Sequence, residues 1–257
     1  MPIPHMRRKL ADNLKRVRDR IAAAAGRAGR SPDSVTLVAV TKTVEVDVIR
    51  MMLELGATQL GESRVQELAK RASMIEEYRS RRQLMGGSQD VPPAPTWHMI
   101  GHLQRNKVRQ VLPWARIIHS VDSLRLAEDI SAQGAKAGYT TDIFLQVNVS
   151  GERTKFGMAV GATGHLLDQI REMPSIRIVG LMTMAPLVDD PEKARPHFVR
   201  LRELFEEIRA EHRPGPDFRH LSMGMSNDFE VAVEEGATMV RIGTALFEGL
   251  GARAGDE

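Results

Sequence analysis

The strongest constraint on the fold is an alternation. After an opening helical stretch, short apolar runs and helix-patterned stretches follow one another along the whole chain. The runs fall at 35–40, 58–60, 96–100, 117–120, 142–149, 176–182, 220–222 and 239–242. β-branched and aliphatic residues dominate them, as expected of strands covered on both faces. Between them, apolar residues recur at helical spacing over 46–55, 64–78, 106–112, 123–137, 164–173, 194–212 and 228–235. Strand–helix alternation predicts a parallel sheet. Eight strands in 257 residues predict an α/β fold of one (β/α)8 TIM barrel, a single domain over 1–257. An open doubly wound sheet is the competing arrangement, but no GxGxxG follows an early strand.

The opening stretch, 6–28, carries Leu10, Leu14, Val17, Ile21 and Ala24 on one stripe and reads as an extra N-terminal helix docked on the barrel. Gly26 and the Gly29-Arg30-Ser31-Pro32 segment end it. The segment 79–95, RSRRQLMGGSQDVPPAP, reads as a flexible loop on the N-terminal face, away from any site. Lys and Arg number 36 against 33 Asp and Glu, and aromatics are 4%, so no basic, aromatic-interleaved surface for nucleic acid is expected. Cysteine is absent, which excludes disulfides, thiolate catalysis and cysteine-ligated zinc. No apolar run reaches membrane length, and 21–25 is too short for a secretory core. A soluble cytoplasmic protein is expected.

Polar residues gather where the strands end, the face on which barrels build sites. Lys42 follows the first run, and Glu62, Ser63 and Arg64 the second. Desolvation at a strand mouth disfavours the ammonium form and makes such an amine a nucleophile for carbonyls, although a strand-capping lysine is more often simply solvated. The last two loops resemble a phosphate cradle. Gly224 and Gly243 let backbone N–H groups approach an anion, while Ser226 and Thr244 add hydroxyls, each read as opening a helix. Ordinary helix capping is the alternative for both hydroxyls. His98 and His102 lack a carboxylate companion in the sequence and read as structural or site-lining rather than metal-binding.

The motifs AVTKT, GESRVQE, WHMIGHLQRNKV, IHSVDS, VNVSGERTKFG, GLMTMAP and LSMGMSNDFEVAVEEGATMVRIGTALF occur in this order over 38–247. With them the chain closely resembles the pyridoxal phosphate homeostasis proteins, a family similar to the N-terminal barrel of alanine racemase. The resemblance implies that Lys42 forms an internal aldimine with pyridoxal 5′-phosphate (PLP) and that Arg241 faces the pyridine nitrogen. It implies that Ser226, Gly243 and Thr244 bind the phosphate, with Ser222 and Met223 close by, and that His98 and Ile100 line the pocket. Lys155 matches a second family lysine that exchanges with or accepts cofactor. Ser63 stands where the family usually has Asn, and is too short to make the same direct contact. The family is described as binding PLP without established catalysis, buffering it or delivering it to apo-enzymes; a monomer is expected.

A PLP-dependent amino-acid racemase is the alternative, and a barrel aldolase using Lys42 alone a third reading. Racemases add a second domain and its catalytic tyrosine, whereas this chain is expected to have neither. Its tyrosines, Tyr78 and Tyr139, are placed near helix ends remote from the strand C-termini. An aldolase leaves Arg241 and the cradle unexplained.

Overall fold

The structure, a computed structural model, describes residues 3–86, 91–152, 155–212 and 214–250. The expected barrel is present. Its staves are β1 (Thr36–Val40), β2 (Gln59–Glu62), β3 (Thr96–Met99), β4 (Ile117–Val121), β5 (Thr141–Asn148), β7 (Ile176–Met182), β8 (His220–Ser222) and β9 (Met239–Ile242). All pair in parallel in the order β4-β3-β2-β1-β9-β8-β7-β5, and a β4–β5 pairing closes the ring. The two-residue β6 (Met158–Ala159) was not expected; it pairs with the end of β5 outside the ring.

Period-two alternation sorts the strands into two faces, interrupted in β7 by a register shift between Ile178 and Gly180. Ala39, Leu60, Trp97, Met99, Ile118, Ile143, Leu145, Leu181, Leu221, Val240 and Ile242 join the layer between barrel and helices. Burying each large side chain there contributes roughly 1.5–3 kcal/mol. The alternate positions fill the barrel itself. Phe144, Val179 and Met182 form a small apolar cluster, and buried polar residues share the interior: His98, His119, Ser222 and Arg241. Polar interior positions explain why several strands read as short or weak in sequence.

The helices α2 (Val46–Glu54), α3 (Val65–Gly86), α4 (Val108–Val111), α5 (Leu124–Ala137), α6 (Thr163–Ile170), α7 (Arg195–Glu211), α8 (Phe229–Glu234) and α9 (Thr244–Phe247) link the staves or follow the last one. Ser123 caps α5 by accepting from Leu126 N–H, and Gly138 ends it in the left-handed conformation. The N-terminal helix α1 (Ile3–Arg27) buries Leu10, Leu14, Val17, Ile21 and Ala24, the stripe read from sequence, and packs on α8 and α9.

The loop expected over 79–95 needs correction. Helix α3 continues to Gly86, because Arg79 to Met85 contains neither Gly nor Pro and i,i+3 and i,i+4 pairs support it, Arg79–Glu76 and Arg81–Glu77 among them. Residues 87–90 lie outside the described residues. Tyr78 correspondingly sits inside α3, its hydroxyl on Glu54 and the Arg50 guanidinium over its ring, not near a helix end.

Candidate functional site

A cavity of about 550 Å3 opens at the C-terminal ends of the staves. Lys42, in the turn after β1, lines it and is exposed rather than desolvated. The backbone beneath Lys42 is clamped. Arg71 of α3, itself buried, donates to the carbonyls of Thr41 and Lys42, the latter at 3.2 Å, and to Glu62 Oε1 at 3.0 Å. The Thr41 hydroxyl donates to the same Glu62 oxygen. Burial pushes the Glu62 carboxyl above its usual range, against the opposing pull of Arg71.

Arg241, near the end of β9, is 4% exposed and reaches the cavity wall. One terminal nitrogen donates to Ser222 Oγ at 2.6 Å and the other to the Thr183 carbonyl at 2.9 Å. Each –NH2 therefore retains a second N–H. Burial pushes this guanidinium down to about 10, so it stays protonated at neutral pH.

The cradle forms where the loops after β8 and β9 meet. Ser226 Oγ accepts from the N–H groups of Gly243 at 3.3 Å and Ala245 at 3.4 Å, joining the two loops. Contrary to the sequence expectation, Ser226 does not open a helix; α8 starts at Phe229, after Asp228. Asp228 is buried and accepts from Met225 N–H at 2.6 Å, and burial pushes its carboxyl up. Gly224 has φ +96°, and a Cβ there would lie 2.6 Å from Ala232 Cβ, so only glycine fits. Thr244 does open α9.

Ser63, Ile100, Ser226, Gly243 and Thr244 thus line the cavity together with Lys42 and Arg241. Four expected site residues do not. His98 is fully buried in the barrel, bonded to Gln59 Oε1 at 2.8 Å and to His119 Nε2 at 2.9 Å. It lies one pleat repeat below Ile100, two residues further from the mouth. Ser222 is buried under Arg241, and the Met223 side chain belongs to the outer hydrophobic layer. Lys155 also lies outside the cavity lining; it pairs with Glu152 at 3.0 Å, and its charge adds to burial in lowering the proton affinity of the nearby His197.

His102, read from sequence as structural or site-lining, does line the cavity; sequence reasoning missed Gln146, Phe156, Asn227 and Asp228 as lining residues, and Thr183 as the anchor of Arg241. Most lie in the quoted loop motifs, whose position after a strand was the available signal. The stack of His102 on Phe156, with ring centroids 4.0 Å apart, joins the loops after β3 and β5 and had no local signal. Among the described residues no group of three or more His, Cys, Asp or Glu is placed to hold a metal ion, and no helix is long and apolar enough to cross a membrane.

Comparison with known proteins places this architecture. The profile of the family "Alanine racemase, N-terminal domain" matches residues 12–250. The pyridoxal phosphate homeostasis protein of Aquifex aeolicus is 40% identical over 92% of this chain and 96% of its own. A solved structure of an unknown protein from Bifidobacterium adolescentis is 37% identical with TM-score 0.86, covering 96% of this chain and 98% of that one. PipY of Synechococcus elongatus PCC7942, solved with PLP bound, is 31% identical with TM-score 0.77, covering 93% of this chain and 99% of its own. The chain belongs to the alanine racemase N-terminal domain family and, within it, to the pyridoxal phosphate homeostasis proteins.

Proposed function

We propose that this protein binds PLP in the cavity after the barrel strands and serves PLP homeostasis, buffering the cofactor and delivering it to apo-enzymes, without turnover of its own. The observation that carries the reading is the convergence of a lysine, a buried arginine and a hydroxyl-and-amide cradle on one cavity. The donor set fits the group: a primary amine for the aldehyde, backbone N–H groups with Ser226 and Thr244 for the phosphate, and an N–H donor for the ring nitrogen. The tight space around Gly224 and its positive φ keep the backbone close enough for such a cradle. A homologue solved with PLP bound supports the same reading.

When bound, PLP supplies a reactive carbonyl and an electron-accepting ring. Lys42 provides the amine that bonds to that carbonyl, on a backbone held by Arg71 and Glu62. Gly243, Thr244 and Ser226 orient the phosphate at the head of α9. Arg241 would offer an N–H donor to the ring nitrogen while keeping its own proton, a setting in which the ring would be a weak electron acceptor. Racemisation through so weak a sink needs paired bases, and Lys42 is the one lysine on the cavity lining among the described residues, which supports a carrier over the racemase alternative. Ser63 would lie on the cavity wall beside the bound cofactor, and Lys155, outside the cavity lining, would serve as a secondary cofactor lysine. The carrier works in the cytoplasm as a monomer, a state supported by the self-closed barrel.

Incubating purified protein with PLP is expected to produce a yellow absorbance that Lys42→Ala abolishes. With amino acids in D2O, the loaded wild type is expected to show negligible exchange at the α-carbon by NMR. Absence of the yellow band contradicts PLP binding through an amine. Exchange at ordinary enzymatic rates contradicts the carrier reading and favours the enzyme.

A further inference from the structure

Beneath the cavity, five polar side chains form one continuous hydrogen-bonded line through the barrel. Arg241 Nη1 reaches Ser222 Oγ at 2.6 Å, and Ser222 Oγ lies 2.7 Å from His119 Nδ1. His119 Nε2 lies 2.9 Å from His98 Nδ1, and His98 Nε2 lies 2.8 Å from Gln59 Oε1. His98, His119 and Ser222 are fully buried and Arg241 nearly so. Gln59 lines a separate opening at the N-terminal end, so the line runs from one end of the barrel to the other.

The proton arrangement follows from its two ends. Arginine has no acceptor, so Ser222 must accept from it and is left to donate its own hydrogen to His119 Nδ1. His119 then carries its proton on Nε2 and donates to His98 Nδ1. His98 in turn carries its proton on Nε2 and donates to the Gln59 carbonyl oxygen. Every link points the same way, and both rings are neutral. Burial pushes His98 down to about 4 and His119 well below the usual histidine range, with the nearby Arg241 charge contributing at His119. The His119 ring stacks on Phe144 with centroids 4.4 Å apart, which fixes its plane.

We propose that His119 and His98 are positioning residues for Arg241: the line Gln59–His98–His119–Ser222 holds the guanidinium in one orientation and so presents its remaining N–H groups to the ring nitrogen of bound PLP. This rests on the reading that Arg241 faces that nitrogen. The Thr183 carbonyl alone anchors one end of the fork and leaves it free to pivot. Ser222, with its hydrogen committed to His119, supplies the second anchor. The line explains why the barrel interior buries two histidines that touch no cavity.

The test uses PLP labelled with 15N in the ring, bound to wild type and to Arg241→Met, His119→Phe, His119→Asn and Ser222→Ala, each checked by circular dichroism. The ring 15N resonance reports the hydrogen bond directly, which a merely structural role does not move. Arg241→Met is expected to shift it toward the value of unprotonated pyridine without a donor. His119→Phe, which keeps the stack on Phe144 but removes the acceptor, is expected to shift it in the same direction and to release PLP at least fivefold faster. His119→Asn places a carbonyl oxygen near the Nδ1 position and is expected to restore most of the wild-type resonance. Should His119→Phe fail to fold, Ser222→Ala removes one oxygen and carries the same expectation. If Arg241→Met shifts the resonance while His119→Phe or Ser222→Ala leaves it at the wild-type value, the positioning role is wrong. An equal shift in His119→Asn and His119→Phe also overturns it. If Arg241→Met itself leaves the resonance unmoved, the placement of Arg241 at the ring nitrogen is wrong, and the proposal fails with it.

Discussion

Glu62 and Arg71 form a buried ion pair under the lysine turn, and the two members are unequal in what their loss costs. Arg71→Leu strands the Glu62 charge and also removes donors from the Thr41 and Lys42 carbonyls. A loss of about 3–5 kcal/mol in urea unfolding is expected, together with weaker PLP binding. Glu62→Gln removes the charge but keeps an acceptor for Thr41 and Arg71, and is expected to cost less. The interior histidines give a pH signature. His98 takes up its proton at about 4 when folded, against an ordinary 6.5. The unfolded chain binds more protons in that interval, so stability is full above pH 6.5 and falls as pH drops toward 4, by about 3 kcal/mol. Thermal or urea unfolding of wild type and His98→Leu across pH 4–7 is expected to show a steeper acid loss in the wild type. Lys42 and the Ser226 and Gly243-Thr244 loops were legible because each follows a strand, and Arg241 because it sits near the end of one. The burial of His98 was not legible, because the sequence puts it and Ile100 on the same face of β3 and only their depth in the barrel separates them.

At the level of elements, α1 is held by polar contacts as well as by its apolar stripe, with Arg16 on Glu248, Arg20 on Glu230 and Arg27 on Glu234 at its exposed side and Asn13 at its buried side. Asn13, 1% exposed, donates to the carbonyls of Leu246 at 2.9 Å and Glu248 at 3.0 Å, satisfying the end of α9. Asn13→Ala is expected to cost roughly 1–3 kcal/mol, measured by chemical unfolding, since it leaves buried carbonyl oxygen without its donor. Because α9 begins at the cradle, a modest loss of PLP affinity is expected as well. The stripe on α1 was legible from its helical spacing. The true extent of α3 was not, because the glycines and prolines further along coloured the reading of Arg79 to Met85, whose own residues favour helix. The short β6 carried no sequence signal, as two residues cannot display a period.

Over the whole molecule, strand–helix alternation was enough to specify the closed barrel, and closure brings Gln146 of β5, Arg241 of β9 and the loops after β1, β2, β3, β5, β7, β8 and β9 to one cavity. What the alternation could not convey was the cross-barrel contact set. Links between residues far apart in sequence, such as Arg241 to Thr183 and His119 to Ser222, depend on strand stagger and side-chain depth. The proposed carrier holds PLP on the lysine at the mouth of β1. Borohydride reduction of the PLP-loaded protein, followed by proteolysis and mass spectrometry, tests it most directly. A pyridoxyl-phosphate adduct on Lys42, lost when free phosphate and PLP analogues are allowed to compete before reduction, is the expected result; an adduct found only elsewhere, for instance on Lys155, contradicts it.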